Sequence, residues 1–184
     1  MIVCRALSQH YGVTRVFNAL DMEFAPGSTR LEGKNGSGKS SLLRLIAGLE
    51  TPTRGTILGA HKVSLSSDGL QAPPNLSVHE VMALHLRYRT MDKAKLTALG
   101  EALSLTPYTH TQVGELSSGN LKKLSLALAL AEHSDWLLLD EPLNALDSTS
   151  QHQVIQAIGQ DPRHKIIVDH QARIAVDRAL NLDA

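Results

Sequence analysis

Residues 33–40 read Gly33-Lys34-Asn35-Gly36-Ser37-Gly38-Lys39-Ser40, and this stretch restricts the fold more than any other in the chain. Its glycines let the backbone turn so that successive N–H groups converge on one point, a geometry that holds a phosphate. Behind it, residues 39–48 place Leu42, Leu43, Leu45 and Ile46 on one face of a helix that Gly48 can end. The start of that helix adds the positive end of its dipole. In the pattern G-x-x-x-x-G-K-[ST], Lys39 sets a charge against the β- and γ-phosphates, and Ser40 offers a hydroxyl to Mg²⁺. The alternative is a chance match in an ordinary turn, and the strand-loop-helix setting weighs against it. The loop alone does not separate kinases, GTPases and ATPases, although the guanine-reading N-K-x-D of a GTPase is missing.

The rest of the chain supplies the frame. Residues 2–8 and 16–24 alternate as strands joined by a turn at Tyr11-Gly12, which predicts an amino-terminal antiparallel β subdomain. Short strands are expected at 29–32, 56–58, 63–65, 136–140, 166–169 and 179–182. Helices are expected at 78–88, 92–103, 119–133 and 148–158, the first opened by the capping box Ser77-x-x-Glu80. Strands and helices flanking a mostly helical block, residues 76–133, predict an α/β domain. Its sheet is mostly parallel, with a helical insertion, on the core of a P-loop NTPase. All 184 residues are expected to form one domain.

Composition excludes several classes. The longest apolar run is six residues, Leu126 to Ala131, against the roughly 20 that a membrane helix needs. The single Cys4 allows no internal disulfide, which reads as intracellular. No basic-then-apolar leader opens the chain, so no secretion signal is expected. Eighteen basic residues against eighteen acidic ones argue against a nucleic-acid partner. Six aromatic residues are too few for a base-stacking platform. The histidines show no metal-ligand spacing, and His79 and His85 do not share a helical face.

Trp136-Leu137-Leu138-Leu139-Asp140-Glu141 is an apolar strand tipped by two carboxylates. Strand ends line the ligand crevice of a parallel sheet. Asp140 can reach the Mg²⁺ shell, and Glu141 can orient or deprotonate an attacking water. The plainer alternative, a solvated acidic turn, loses ground downstream of a phosphate loop.

Leu116-Ser117-Ser118-Gly119-Asn120 would by itself be a turn that caps a helix. Set between the phosphate loop and Asp140-Glu141, it resembles the L-S-G-G-Q signature of ATP-binding cassette (ABC) proteins. Asn144-Ala145-Leu146-Asp147 is similar to their D-loop, and His170 follows a strand as their switch histidine does. Tyr11 stands 22 residues before Gly33, where the family carries an aromatic residue that stacks on adenine. Within the family, Leu31-Glu32-Gly33 and the run Ser40 to Leu45 most resemble the ATP-binding subunit of the haem exporter of cytochrome c maturation.

The resemblance implies an ATPase subunit that binds ATP and Mg²⁺. Gly33, Asn35, Gly36, Ser37, Gly38, Lys39, Ser40 and Ser41 would hold the phosphates, with Ser40 and Asp140 on the metal. Glu141 would be the catalytic base, and His170 would contact the γ-phosphate. Ser117 and Gly119 would meet a nucleotide held by a second cassette, with Asp147 at the same seam. It implies a head-to-tail homodimer on the cytoplasmic face of a membrane, driving separate transmembrane permease subunits. The chain ends soon after its last strand, so no regulatory domain is expected.

Several positions depart from the family pattern. Asn120 stands for Gln and Ser118 for the first signature glycine. The Q-loop position, which would also reach Mg²⁺, falls near Ser67 or Asp68, and Gln71 is the nearby glutamine. Asp169 precedes the switch histidine, where it is expected either to favour the imidazolium of His170 or to point away. Two rivals stay open. One is a soluble ABC ATPase of translation or DNA, against which the 77-residue segment from Ser40 to Leu116 shows no heptads or cysteine pairs. The other is a degenerate cassette that binds nucleotide with little turnover.

Overall fold

A computed structural model describes residues 1–67, 70 and 72–183. They divide into two compact units. The first comprises residues 1–65, 135–140 and 163–184, and the second residues 66–134 and 141–162.

The first unit contains two sheets. Strands β1 (Ile2–Tyr11), β2 (Thr14–Phe24) and β4 (Arg54–Leu58) form an antiparallel sheet in the order β2-β1-β4. The hairpin turn is Gly12-Val13, one residue beyond the expected Tyr11-Gly12, because Tyr11 still pairs with Thr14. The register between β1 and β2 shifts near Ala6 and Ala19, which both take positive φ. Side chains serve the amides at these bulges: Ala6 donates to Asp21 Oδ1 at 2.8 Å and Ala19 to Ser8 Oγ at 3.0 Å.

The second sheet carries the site. It runs β5 (Val63–Ser66), β6 (Trp136–Asp140), β7 (His164–Val168), β3 (Ser28–Glu32) and β8 (Arg178–Asn181). The β6–β7, β7–β3 and β3–β8 pairings are parallel. Every residue of β6 is buried, as a continuous apolar run in a parallel sheet requires. Helix α1 (Lys39–Ile46) buries Leu42, Leu43, Leu45 and Ile46 in a core shared with Ile2, Phe24, Leu31, Trp136, Leu138 and Ile166. The mostly parallel sheet and the antiparallel sheet match the architecture expected from the alternation of elements.

The second unit is helical: α2 (Val78–Tyr88), α3 (Lys93–Ala102), α4 (Ser118–Ala131) and α5 (Ser148–Gln160). Short 3₁₀ turns, Thr106–Tyr108 and Val113–Glu115, lie between α3 and α4. The capping box is formed: Ser77 Oγ accepts from the Glu80 amide, and the Glu80 carboxylate accepts from the Ser77 amide at 2.8 Å. Helix α4 is buried at every position from Leu124 to Ala131, which explains why its sequence lacks a polar face.

Leu138 lies fully buried at the middle of β6. Leu138→Ala removes its contacts and leaves a cavity, so stability should fall by about 3 kcal/mol. Urea denaturation followed by far-UV circular dichroism measures the loss.

Candidate functional site

Three neighbouring parallel strands of the first unit end on the same side. The glycine loop follows β3, Asp140 is the last residue of β6, and Asp169-His170 follow β7. The crevice beyond the carboxyl ends of such strands is where open α/β sheets bind ligands.

The loop is organised from within. Lys39 is buried, and its ammonium donates to the carbonyls of Gly33 at 2.8 Å and Lys34 at 2.9 Å. The Ser37 amide also donates to Lys34 O, at 3.2 Å. Among the described residues, the amides of Gly36, Gly38, Lys39 and Ser40 have no protein acceptor. No acidic residue occupies the first turn of α1, whose N-cap Gly38 has φ 97° and supplies no side-chain cap. A side chain at Gly38 would collide with Val16 Cγ1 and lie 2.8 Å from the Phe17 ring. Positive φ and close approach both demand glycine there. Ser37 Oγ is buried without a hydrogen-bond partner among the described residues. A loop with unpaired donors, a stored ammonium and no nearby helix-start carboxylate suits a polyanion.

The donor set also fits Mg²⁺. Ser40 in the first turn of α1 and the mostly buried Asp140 supply a hydroxyl and a carboxylate oxygen. Mg²⁺ takes one or two such protein oxygens together with phosphate and water. Ser41 is buried beside Ser40, whereas Asn35 and Gly36 are exposed at the loop tip.

Two other positions take on local work. The Tyr11 ring is exposed while its hydroxyl bonds to Glu50, whose other oxygen pairs with Arg44 Nε at 2.7 Å. Asp169 is buried and serves the turn after β7. It accepts from the amides of Gln171 at 3.1 Å, Arg173 at 2.7 Å and Ile174 at 3.2 Å. Those amides fix the carboxylate in the turn. His170 is exposed directly after it.

The second unit holds the remaining candidates. Ser117 is the N-cap of α4, its Oγ accepting from the Asn120 amide at 3.2 Å. Asp147 is the N-cap of α5 and accepts from the Ser150 amide and hydroxyl, both at 2.8 Å. It also pairs with Lys123 Nζ of α4 at 3.1 Å. Hydrogen bonds from Ser150, then Lys123, hold this carboxyl below its ordinary range. The helix start and the segment at Asp147 meet closely, because a Cβ on Gly119 would lie 2.6 Å from Ala145 O. Glu141 is half-buried with φ 47°, a left-handed conformation costly for a non-glycine residue. Asp68 and Gln71 lie outside the described residues.

A family model described as "ABC transporter" matches residues 17–144. The chain belongs to that family. It is 32% identical over 192 residues to the aliphatic sulfonates import ATP-binding protein SsuB of Burkholderia pseudomallei, aligned over 97% of this chain and 58% of the relative. SsuB 3 of Nocardia farcinica is also 32% identical, over 97% of this chain and 75% of the relative. The chain thus spans just over half the length of the first and three quarters of the second. A solved ATP-binding subunit of an ABC transporter shares the fold, with a TM-score of 0.78 at 18% identity, over 94% of this chain and 80% of that one. Among the described residues, no helix is long and apolar enough to cross a membrane.

Within each unit, residues that the sequence did not single out also position the candidates. Val16 and Phe17 crowd Gly38 from β2. Asp183 accepts from the Lys34 amide at 2.7 Å. Lys123 reaches Asp147. Each acts across many residues, and no local pattern marks it.

Two substitutions probe the second unit. Gly119→Ala drives a methyl into Ala145 O and should cost about 1–3 kcal/mol in a denaturant titration. The depressed titration of Asp147 adds stability that is complete above roughly pH 3.9 and is lost as pH falls through the lower folded value. Carboxyl-carbon NMR should find Asp147 titrating below the other exposed aspartates. Lys123→Met should move it part of the way back, since the Ser150 bonds remain.

Proposed function

We propose that this chain is the ATP-binding and ATP-hydrolysing motor of an ABC transporter. One observation carries the reading: Lys39 rests on two loop carbonyls while, among the described residues, the amides of Gly36, Gly38, Lys39 and Ser40 lack protein acceptors. Residues 1–184 act as a single ATPase domain with residues 76–133 as its helical subdomain. The chain sits on the cytoplasmic face of a membrane, paired head to tail with a second copy, and drives separate permease subunits. Its relatives SsuB and SsuB 3 are named for import, so import is favoured over the export suggested by the haem-exporter resemblance.

Residue roles follow from chemistry. The amides of Gly36, Gly38, Lys39 and Ser40 bind phosphate oxygens, supported by Gly33, Asn35, Ser37 and Ser41. Lys39 transfers its ammonium from the loop carbonyls to the β- and γ-phosphates. Ser40 and Asp140 hold Mg²⁺, with Gln71 as the proposed Q-loop ligand. When bound, the metal neutralises charge on the β- and γ-oxygens. The exposed Tyr11 ring stacks on adenine. Glu141 orients and deprotonates water, and His170 contacts the γ-phosphate. Ser117 and Gly119, at the start of α4, bind the γ-phosphate held by the partner copy. Asp147 belongs to the same seam. Because ATP completes that interface, binding favours closure and hydrolysis releases it.

Glu141→Gln tests the chemistry. It should lower Mg-ATP turnover by about 100-fold or more while leaving ATP affinity nearly unchanged. Steady-state phosphate release and equilibrium binding of a fluorescent ATP analogue measure the two. A wild-type chain that binds ATP without turning it over would instead establish the degenerate cassette.

A further inference from the structure

The end of β8 grips the phosphate loop. Leu182 N donates to Glu32 O at 2.9 Å, which holds the segment against the last residue of β3. Asn181 Oδ1 accepts from the Asp183 amide at 2.8 Å and sets the direction of Asp183. Asp183 Oδ2 then accepts from the Lys34 amide at 2.7 Å. The Lys34 carbonyl accepts in turn from the Ser37 amide at 3.2 Å and from Lys39 Nζ at 2.9 Å. Both ends of residue 34 are therefore committed. The amide is tied to a carboxylate in the turn after β8, and the carbonyl organises the loop turn and parks the ammonium. A carboxylate acceptor makes the first of these bonds stronger than a neutral one would.

We propose that Asp183 is a positioning residue for nucleotide binding, fixing the Lys34 peptide so that the phosphate loop is preorganised before ATP arrives. This role rests on the nucleotide reading above. Asp183 takes an amide outside the unpaired set of Gly36, Gly38, Lys39 and Ser40, so it orders the loop without competing for their donors. Without it the loop must be ordered at the moment of binding, and affinity pays that cost.

The test uses the full chain. Asp183→Ala should weaken Mg-ATP binding by about tenfold, the size of one charge-assisted hydrogen bond. KM for ATP should rise by a similar factor, with kcat within about twofold. The Lys34 amide, followed by NMR hydrogen exchange without nucleotide, should exchange at least about tenfold faster. Asp183→Asn retains an acceptor oxygen and should stay within about threefold of wild type in both measurements. Asn181→Ala, which frees Asp183 without removing it, should shift both in the direction of Asp183→Ala and by less. Should Asp183→Ala not fold, the Asn181→Ala result decides. Unchanged affinity or unchanged Lys34 exchange in the folded variant overturns the proposal. A wild-type chain that binds no Mg-ATP overturns the nucleotide reading itself, and the Lys34 exchange rate, read without nucleotide, tells the two failures apart.

Discussion

A buried ammonium needs partners, and that requirement organises the first unit. Lys39 lies in the interior, where an unpaired charge would cost several kcal/mol. Its partners are two carbonyls of the same loop. They can serve only if the backbone between Gly33 and Gly38 curls back over the start of α1. The glycines permit the curl, β3 fixes where it begins, and the apolar face of α1 fixes where it ends. Carbonyl oxygens are good enough to hold the charge and weak enough to yield it to a phosphate. The proposed phosphate role of Lys39 draws on this resting contact, which holds the charge without neutralising it.

Local features of this arrangement were legible in the sequence and distant ones were not. The loop, α1 and β6 announce themselves because spacing and apolar runs depend on neighbours a few residues apart. The crowding of Gly38 by Val16 and Phe17 links residues about 20 apart, and the Asp183 bond to Lys34 spans 149. No period or motif encodes such pairs. Asp169 stands next to His170 in sequence, yet the turn after β7 offers three amides that the carboxylate accepts from. Backbone donors in a buried turn must be satisfied, and the nearest carboxylate satisfies them. The one-residue shift of the β1–β2 hairpin has a similar origin. Ladder pairing of Tyr11 with Thr14 extends β1 by one residue and leaves Gly12, with φ 58°, at the first turn position.

In the second unit the caps explain why the Ser117 and Asp147 motifs read equally well as structure. Ser117 and Asp147 each close a helix start, so an ordinary folding role would account for both residue types. What separates the two helix starts is charge. Helix α4 has a neutral cap and no acidic residue in its first turn. Helix α5 opens on a carboxylate whose proton affinity is depressed by Ser150 and Lys123, so it stays ionised at neutral pH. An approaching phosphate would be attracted to the first and repelled by the second. A cap that neutralises its own helix start with a full negative charge has no anion-binding capacity left to offer. Asp147 therefore contributes through where it holds the chain, and Gly119, pressed against Ala145 O, receives that placement directly. The pair Lys123–Asp147 ties the anion-competent start of α4 to a segment that an anion would avoid. Together with the approach of Gly119 to Ala145 O, this pair joins the two helix starts at two points.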